Sequence, residues 1–404
     1  MPHPRNVPIL GAGTGNDVAA ALRNGAEHVD AVELDPLILS LGKRYHPEHP
    51  YSSERVTAHN DDARAFLKKA DRKYDLIIFA FLDSTTLLSG FSSLRLDNYV
   101  YTVESFQNAR ALLAENGTMV LSFATTRSFA TVTRAFGTPP AACLTQYWVK
   151  GVVMVEGGAR ATKLPELSDV SEELRLNAGR ALLATDAWPL LYLESRSIPA
   201  SILVVVPLFL LAAWKVLQRS GVLSGNARPA GRWHFFFLGA GFLLLETKAI
   251  TQLSLLFGST WIVTLLVITS FLLMALLANA VVAVSRIPTW ISYSSLLALL
   301  FADAFLPYSV FNGAGFAAKV LMSGAWVAAP VFFSGLVFSG SLKQNGNVSQ
   351  SLGMNLFGAV CGGVLENAVM VGGTPILIRL AIVLCTLSAL SLAAQRRLSS
   401  PLPS

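Results

Sequence analysis

The sequence predicts an α/β domain followed by an α-helical transmembrane bundle, and three observations carry that prediction. Charge is unevenly divided: residues 1–197 hold 20 Lys+Arg and 22 Asp+Glu, while residues 198–404 hold 11 and 3. Up to residue 155, short β-branched runs alternate with helical stretches, the pattern of buried parallel strands between helices. Beyond residue 197 come seven apolar segments near the roughly 20 residues that cross a bilayer as a helix. The whole-chain figures of 53% hydrophobic, 14% charged and net charge +6 therefore describe neither half. The basic excess lies in the apolar half, so it marks membrane topology and gives no support to a nucleic-acid partner, and none is expected.

In chain order, Val7–Leu10 reads as a strand, Asn16–Asn24 as a helix and His28–Leu34 as a strand. Pro36–Tyr45 is helical, Arg55–His59 a strand, Asp61–Lys69 a helix and Tyr74–Phe79 a strand. Glu104–Ala114 is a helix and Thr118–Phe123 a strand after Asn116-Gly117; Gln146–Val155 is a late strand, parallel or antiparallel. Residues 1–155 form the nucleotide-binding domain, 156–197 a connection with a polar helix near Ser171–Leu183, and 395–404 a tail. Entry into the first strand is abrupt, through MPHPRNVPILGAG without an apolar signal core, which predicts a preceding segment.

The apolar segments run over about 198–216, 234–256, 260–284, 288–307, 316–338, 353–371 and 375–394, a bundle of six or seven helices within 198–394. Lys215, Arg219, Arg228 and Arg232 follow the first, Arg286 the third, Lys343 the fifth, and Arg396 with Arg397 the seventh. If all seven span, these residues share one face, which the positive-inside rule makes cytoplasmic and which puts the N-terminal domain outside. A domain using a nucleotide cofactor belongs in the cytosol. Either the first segment, broken by Pro207, does not span, or upstream segments set the topology. We expect an integral protein of a bacterial inner membrane with a cytoplasmic domain.

Gly11, Gly13 and Gly15 lie in GAGTGND, after a strand and before a helix, where Asp17 follows. Glycines there allow a sharp turn and close approach to a ligand. Glu33, eighteen residues after Gly15, ends the second strand, where a carboxylate accepts ribose hydroxyls. Asp61 or Asp62, before Ala63, follows the third strand and can receive an adenine amino group. A dinucleotide fingerprint requires glycine where Asn16 stands, so an S-adenosylmethionine-type ligand fits better, on a Rossmann-like domain of the class I methyltransferase type. No metal is expected; the three cysteines are not spaced as ligands.

VPILGAGTGNDVAAALRNGAEHVDAVELDP, RVTAHNDDARAFL and YDLIIFAFLDSTTLL resemble the spermidine synthase family, the polyamine aminopropyltransferases. TDAWPLLYLESRSIP and FFFLGAGFLLLETKAITQLSLLFGST resemble its membrane-embedded bacterial relatives. The resemblance implies transfer of an aminopropyl group from decarboxylated S-adenosylmethionine to a diamine, with Glu33 on the ribose and Asp62-Ala63 on the adenine. The chain departs from the family at Thr14, where the glycine loop usually carries an acid. It departs again at Ala80, where the first acid of the family's Asp-Ser-x-Asp-Pro run would stand; Asp83 matches the second. The family's N-terminal strand extension is missing from the sequence.

Attack of an amine beside a sulfonium needs a neutral nucleophile, alignment, and a carboxylate for the amine proton or the distal ammonium. Asp83 is the candidate catalytic residue; Asp97 and Tyr99, in RLDNYVYT, are candidate amine-pocket residues. Tyr101 and Glu104 are weaker ones. Two alternatives stand beside aminopropyl transfer: S-adenosylmethionine-dependent methyl transfer or binding without turnover, and a transporter with a nucleotide- or polyamine-sensing domain. Oligomeric state is open; a small amine and membrane lipids are the expected partners. In the apolar half only Glu246, Asp303 and Glu366 are acidic. Gly358 and Gly362 form a G-x-x-x-G contact, across which Glu366 is expected to meet Lys248.

Overall fold

The computed structural model describes residues 3–82, 96–122, 124–145, 151–159, 167–220, 229–344 and 347–399. The chain divides into two units: Met1–Ser195 with Phe257–Thr260, and Arg196–Leu256 with Trp261–Ser404.

The first unit begins β1 (Asn6–Leu10), α1 (Asn16–Arg23), β2 (His28–Glu33), α2 (Pro36–Tyr45), β3 (Val56–Asn60), α3 (Ala63–Lys69) and β4 (Tyr74–Phe79). It continues with a 3-10 turn (Leu96–Tyr101), α4 (Val103–Leu112), β5 (Leu113–Leu121), α5 (Thr126–Phe136), β6 (Ala141–Thr145), β7 (Gly151–Gly157), β8 (Ser168–Asp169) and α6 (Ser171–Ala178). Sheet order is β3-β2-β1-β4-β5-β7-β6-β8. Strands β1 to β5 pair in parallel, whereas β7 runs antiparallel to β5 and β6. This is the expected Rossmann-like, class I methyltransferase-type fold. The late strand is antiparallel. Strand order reverses beside β1, which opens a crevice at the carboxyl ends of β1 and β2.

Local chemistry sets the element ends. Asp35 caps α2 by accepting from the Leu37 N–H at 2.7 Å, and Pro36 supplies a preset φ at the first helical position. Both sheet faces are covered. Val7, Ile9, Val29 and Ala31 pack with Val18 and Ala21 of α1, while Leu10, Val32, Ile77 and Phe79 pack with Phe66, Phe106 and Phe129 on the other side. Each of the larger of these side chains, Val, Leu, Ile or Phe, stabilises the fold by about 1.5–3 kcal/mol, and strands buried on both faces therefore read as continuous apolar runs.

Residues 156–197, read from sequence as a connection, contribute β8 and α6 and bury Ala184, Trp188, Leu190 and Leu191 within the first unit. Arg127 stacks over the Trp188 ring at 4.9 Å and donates to the carbonyls of Leu190 and Leu193. The polar helix stops at Ala178, before the expected Leu183. Helix α5 was not foreseen.

The second unit contains α7 (Ala200–Arg219), α8 (Pro229–Phe257, whose last residue belongs to the first unit), α9 (Trp261–Val284), α10 (Thr289–Phe305), α11 (Phe316–Gln344), α12 (Val348–Leu365), the short α13 (Val369–Gly372) and α14 (Pro375–Ser399). Among the described residues, six helical stretches are long and apolar enough to cross a membrane. The fourth apolar segment, about 288–307, gives the shorter α10, whose 17 residues reach about 26 Å at the usual rise per residue. Helix α7 continues through Pro207 and is not broken there.

Gly358 and Gly362 are packed backbone to backbone against α8. A Cβ at Gly358 would stand 1.9 Å from the Phe236 carbonyl oxygen, and one at Gly362 2.4 Å from that of Ala240. The G-x-x-x-G contact is therefore present, but the expected Lys248–Glu366 pair is not. Lys248 is paired with Asp303 of α10, and Glu366 accepts from the Thr247 hydroxyl at 3.3 Å. Tyr308 donates to Asp303 at 2.6 Å and accepts from Lys248 at 2.9 Å; the Trp326 indole donates to Asp303 at 2.9 Å. A second polar cluster joins α8, α10 and α14, with Tyr293 Oη 3.0 Å from His234 Nδ1 and 2.8 Å from Ser388 Oγ.

Candidate active site

The glycine loop is bent by three residues in the left-handed region, with φ of 78° at Gly11, 56° at Gly13 and 108° at Gly15. Their surroundings differ. A Cβ at Gly11 would meet Leu82 Cδ2 at 2.6 Å, and one at Gly15 would meet Pro50 Cγ at 2.8 Å, so these two glycines serve packing. A Cβ at Gly13 would meet nothing closer than the Gly11 oxygen at 4.0 Å. The open space of the loop lies over Gly13.

Glu33 and Tyr51 hold Gly13 from both sides of its peptide units. The Gly13 N–H donates to Glu33 Oε2 at 2.8 Å, and the Tyr51 hydroxyl donates to the Gly13 carbonyl at 2.7 Å. Glu33 Oε1 accepts from the Asp35 N–H at 2.9 Å. Burial, and then the Glu33 charge, push the Tyr51 phenol up to about 12, so it stays a donor at neutral pH. Glu33 is 9% exposed, and each of its oxygens retains accepting capacity for a ligand hydroxyl. Asp17 is exposed in the first turn of α1, where a carboxylate complements the helix macrodipole.

At the end of β3, Asn60 donates its side-chain amide to the carbonyls of Glu33 and Leu34, at 3.0 and 2.9 Å, tying the third strand end to the second. Asp61 turns away to an ion pair with Lys69 at 2.8 Å. Asp62 caps α3, accepting from the Ala65 N–H at 2.9 Å and also from the backbone N–H of Ser259. Burial pushes its carboxyl above the usual range. Ala63 is buried in the core. Residues 257–260 thus complete this strand end: a Cβ at Gly258 would stand 2.7 Å from Asp62 Cβ, and Ser259 Oγ donates to the Leu96 carbonyl at 3.3 Å. Nothing in the local pattern of GST at 258–260 signals this.

Asp97 is half-buried in the 3-10 turn, and Tyr99 is 2% exposed. Among the described residues the Tyr99 hydroxyl has no hydrogen-bond partner, and burial together with the Asp186 charge pushes its pKa upward. Asp83 lies outside the described residues. Ala80 follows β4 with its N–H on the Leu10 carbonyl at 3.0 Å and its methyl in the core, so the acid position of the resembling family holds no carboxylate here.

Sequence reasoning missed the network beneath the turn. Arg64, 4% exposed, donates to Asp186 Oδ2 at 2.6 Å and to the Tyr99 carbonyl at 2.7 Å; Thr102 donates to Asp186 Oδ1 at 2.9 Å. Glu104 Oε2 accepts from the Asp186 N–H at 3.0 Å. The signal was present in Asp186-Ala-Trp-Pro, an acid beside a large aromatic in a mostly apolar stretch.

A sheet reversing at β1, with an open glycine loop and a buried acid ending β2, is shared by many nucleoside-binding proteins. The comparison with known sequences is narrower: the spermine/spermidine synthase domain matches residues 1–127. That match covers about a third of the chain. The polyamine aminopropyltransferase of Alkaliphilus metalliredigens is 31% identical over 122 residues, covering 30% of this chain and 40% of that protein. The Vibrio vulnificus enzyme of the same name is 30% identical over 133 residues, covering 32% and 41%. The chain thus spans about two fifths of the length of these curated relatives. Among solved structures, the spermidine synthase of Thermotoga maritima aligns over 44% of this chain and 65% of its own, at 16% identity and a TM-score of 0.34.

Proposed function

We propose that the spermidine-synthase-type domain binds S-adenosylmethionine or its decarboxylated form and transfers an aminopropyl group to a small polyamine-type amine, on a membrane-anchored chain. The observation that carries this reading is Glu33 fixed at the rim of the open space over Gly13, where a ribose can reach both the carboxylate and the loop. Asp62 and the backbone around Ala63 stand at the next strand end, suited to the adenine. The bound donor supplies a carbon activated by its neighbouring sulfonium. The chain's own work is to hold the ribose with Glu33, keep the loop closed with Tyr51, and receive the ammonium or its proton at a carboxylate, for which Asp83 is the candidate.

Calorimetry of the full chain tests this, because residues 257–260 belong to the unit and a 1–197 fragment would lack them. Decarboxylated S-adenosylmethionine should bind more tightly than the intact form. Glu33→Ala should lower affinity roughly 100-fold, two hydrogen bonds to a charged acceptor being lost. Absence of binding by either form would remove the proposal.

Ala80 favours a second reading, methyl transfer or binding without turnover, in which intact S-adenosylmethionine binds better. A gain of aminopropyl transfer in Ala80→Asp would decide for the first. We place the domain on the cytoplasmic side of a bacterial inner membrane. A cysteine at exposed Lys43 should resist a membrane-impermeant maleimide in intact cells; labelling from outside would overturn this placement.

A further inference from the structure

At one end of the helical unit, the turn from α9 to α10 and the end of α11 enclose a cavity of about 480 Å³. Its rim carries two cations, Arg286 and Lys343; Thr289 and Ser292 line it, and Leu336 adds an apolar wall. Ser292 is 2% exposed. A third cation stands beside the cavity, since Arg396 donates to Thr289 Oγ1 at 2.6 Å. The first turn of α10 ends here, adding the positive end of a helix macrodipole.

Among the described residues, no acid lines the cavity. Residues 198–404 contain three carboxylates, Glu246, Asp303 and Glu366, and none lines the cavity. Asp303 is paired with Lys248 and lies fourteen residues along α10 from Thr289, about 21 Å at the usual rise. An apolar wall beneath a ring of cations and hydroxyl donors suits a ligand with a phosphate head and an apolar part. Basic pockets between membrane helices are suited to the headgroups of anionic lipids, and guanidinium and ammonium donors form their strongest hydrogen bonds to such oxygens.

We propose that this cavity binds a phosphate-bearing anion, through Arg286 and Lys343 with Thr289 and Ser292 as neutral donors. Lipid headgroup and free phosphate share that chemistry, and the experiment separates them. Full-length protein in a neutral detergent is titrated with dioctanoyl phosphatidylglycerol, dioctanoyl phosphatidylcholine and inorganic phosphate, with binding read by native mass spectrometry and by the shift in Tm. Saturable binding of phosphatidylglycerol but not of phosphatidylcholine is expected, weakened at least tenfold in the double variant Arg286→Gln/Lys343→Gln. Lys215→Gln, which removes a cation of α7, should leave it unchanged. Gly340→Leu keeps every charge and fills the cavity from its wall, so it too should abolish binding even if the double variant folds poorly. Competition by inorganic phosphate would assign the site to free phosphate, and its absence to the lipid. Equal binding of phosphatidylcholine, retained binding in Gly340→Leu, or equal loss in Lys215→Gln would overturn the proposal.

Discussion

Each unit contains a buried ion pair, and the two are built differently. In the first, Arg64 spreads its planar fork over Asp186, the Tyr99 carbonyl and Thr102, joining parts of the chain more than a hundred residues apart. The Asp186 side chain remains 28% exposed, so water shares its charge. In the second, the Lys248 and Asp303 side chains are 7% and 6% exposed, and their remaining partners are Tyr308 and Trp326. A guanidinium organises several acceptors where solvent can complete the set, whereas an ammonium in an apolar bundle needs one opposite charge close by. The difference predicts unequal responses to losing the acid.

The largest effect is expected for Asp303→Ala, which leaves Lys248 buried without its counter-charge. Destabilisation of about 4 kcal/mol should appear in thermal unfolding of the full chain in detergent. Asp186→Ala should cost about 2 kcal/mol, because water can enter beside Arg64 and the backbone N–H that Glu104 accepts from stays in place. If Asp186→Ala proves as severe as Asp303→Ala, solvent access is not what separates the two pairs. The double variant Lys248→Met/Asp303→Leu sharpens the point: with both charges gone it should unfold within about 1 kcal/mol of the native chain.

The smallest effect concerns pH and falls on the first unit alone. Asp30, 3% exposed in β2, accepts from the Tyr74 hydroxyl at 3.1 Å and lies 2.8 Å from His59 Nε2. Burial opposes its ionisation, but the His59 hydrogen bond, the His28 and Arg72 charges and the Tyr74 hydroxyl outweigh it and hold the carboxyl below its ordinary 3.8. Its contribution is complete above that value and is lost as pH falls through the lower native one. Unfolding of the first unit between pH 5 and 2, followed by near-ultraviolet circular dichroism, should show this slope, and Asp30→Asn should flatten it.

Much of the α/β half was legible because buried parallel strands leave continuous apolar runs. Tyr74–Phe79 and Pro36–Tyr45 coincide with the expected β4 and α2. Helix α5 also carries its signals locally. Thr125 and Ser128 form a capping box, Phe129, Val132 and Phe136 recur on one buried face, and Gly137 ends the helix at φ 80°. Its β-branched threonines have a weak preference against helix, which tertiary burial overrides. The glycine loop and Glu33 were found because their spacing from strand ends is local. Arg64–Asp186, and Ser259 beside Asp62, were not, because their partners are distant in sequence and no periodicity links them.

In the helical half, small residues at i and i+4 were enough to anticipate close approach of a second helix, since only glycine lets two backbones meet as Gly358 and Phe236 do. Which acid answers Lys248 was beyond the sequence. Three candidates stood in similar apolar surroundings, and helix facing, set by packing of whole side-chain surfaces, chose Asp303 over Glu366. By itself the sequence determined an α/β unit, an apolar helical unit and the acid that ends the second strand, because these follow from composition, period and spacing along the chain. Only the tertiary structure decided which buried charges meet and that a turn 62 residues past Ser195 completes the first unit, because those depend on how distant segments pack.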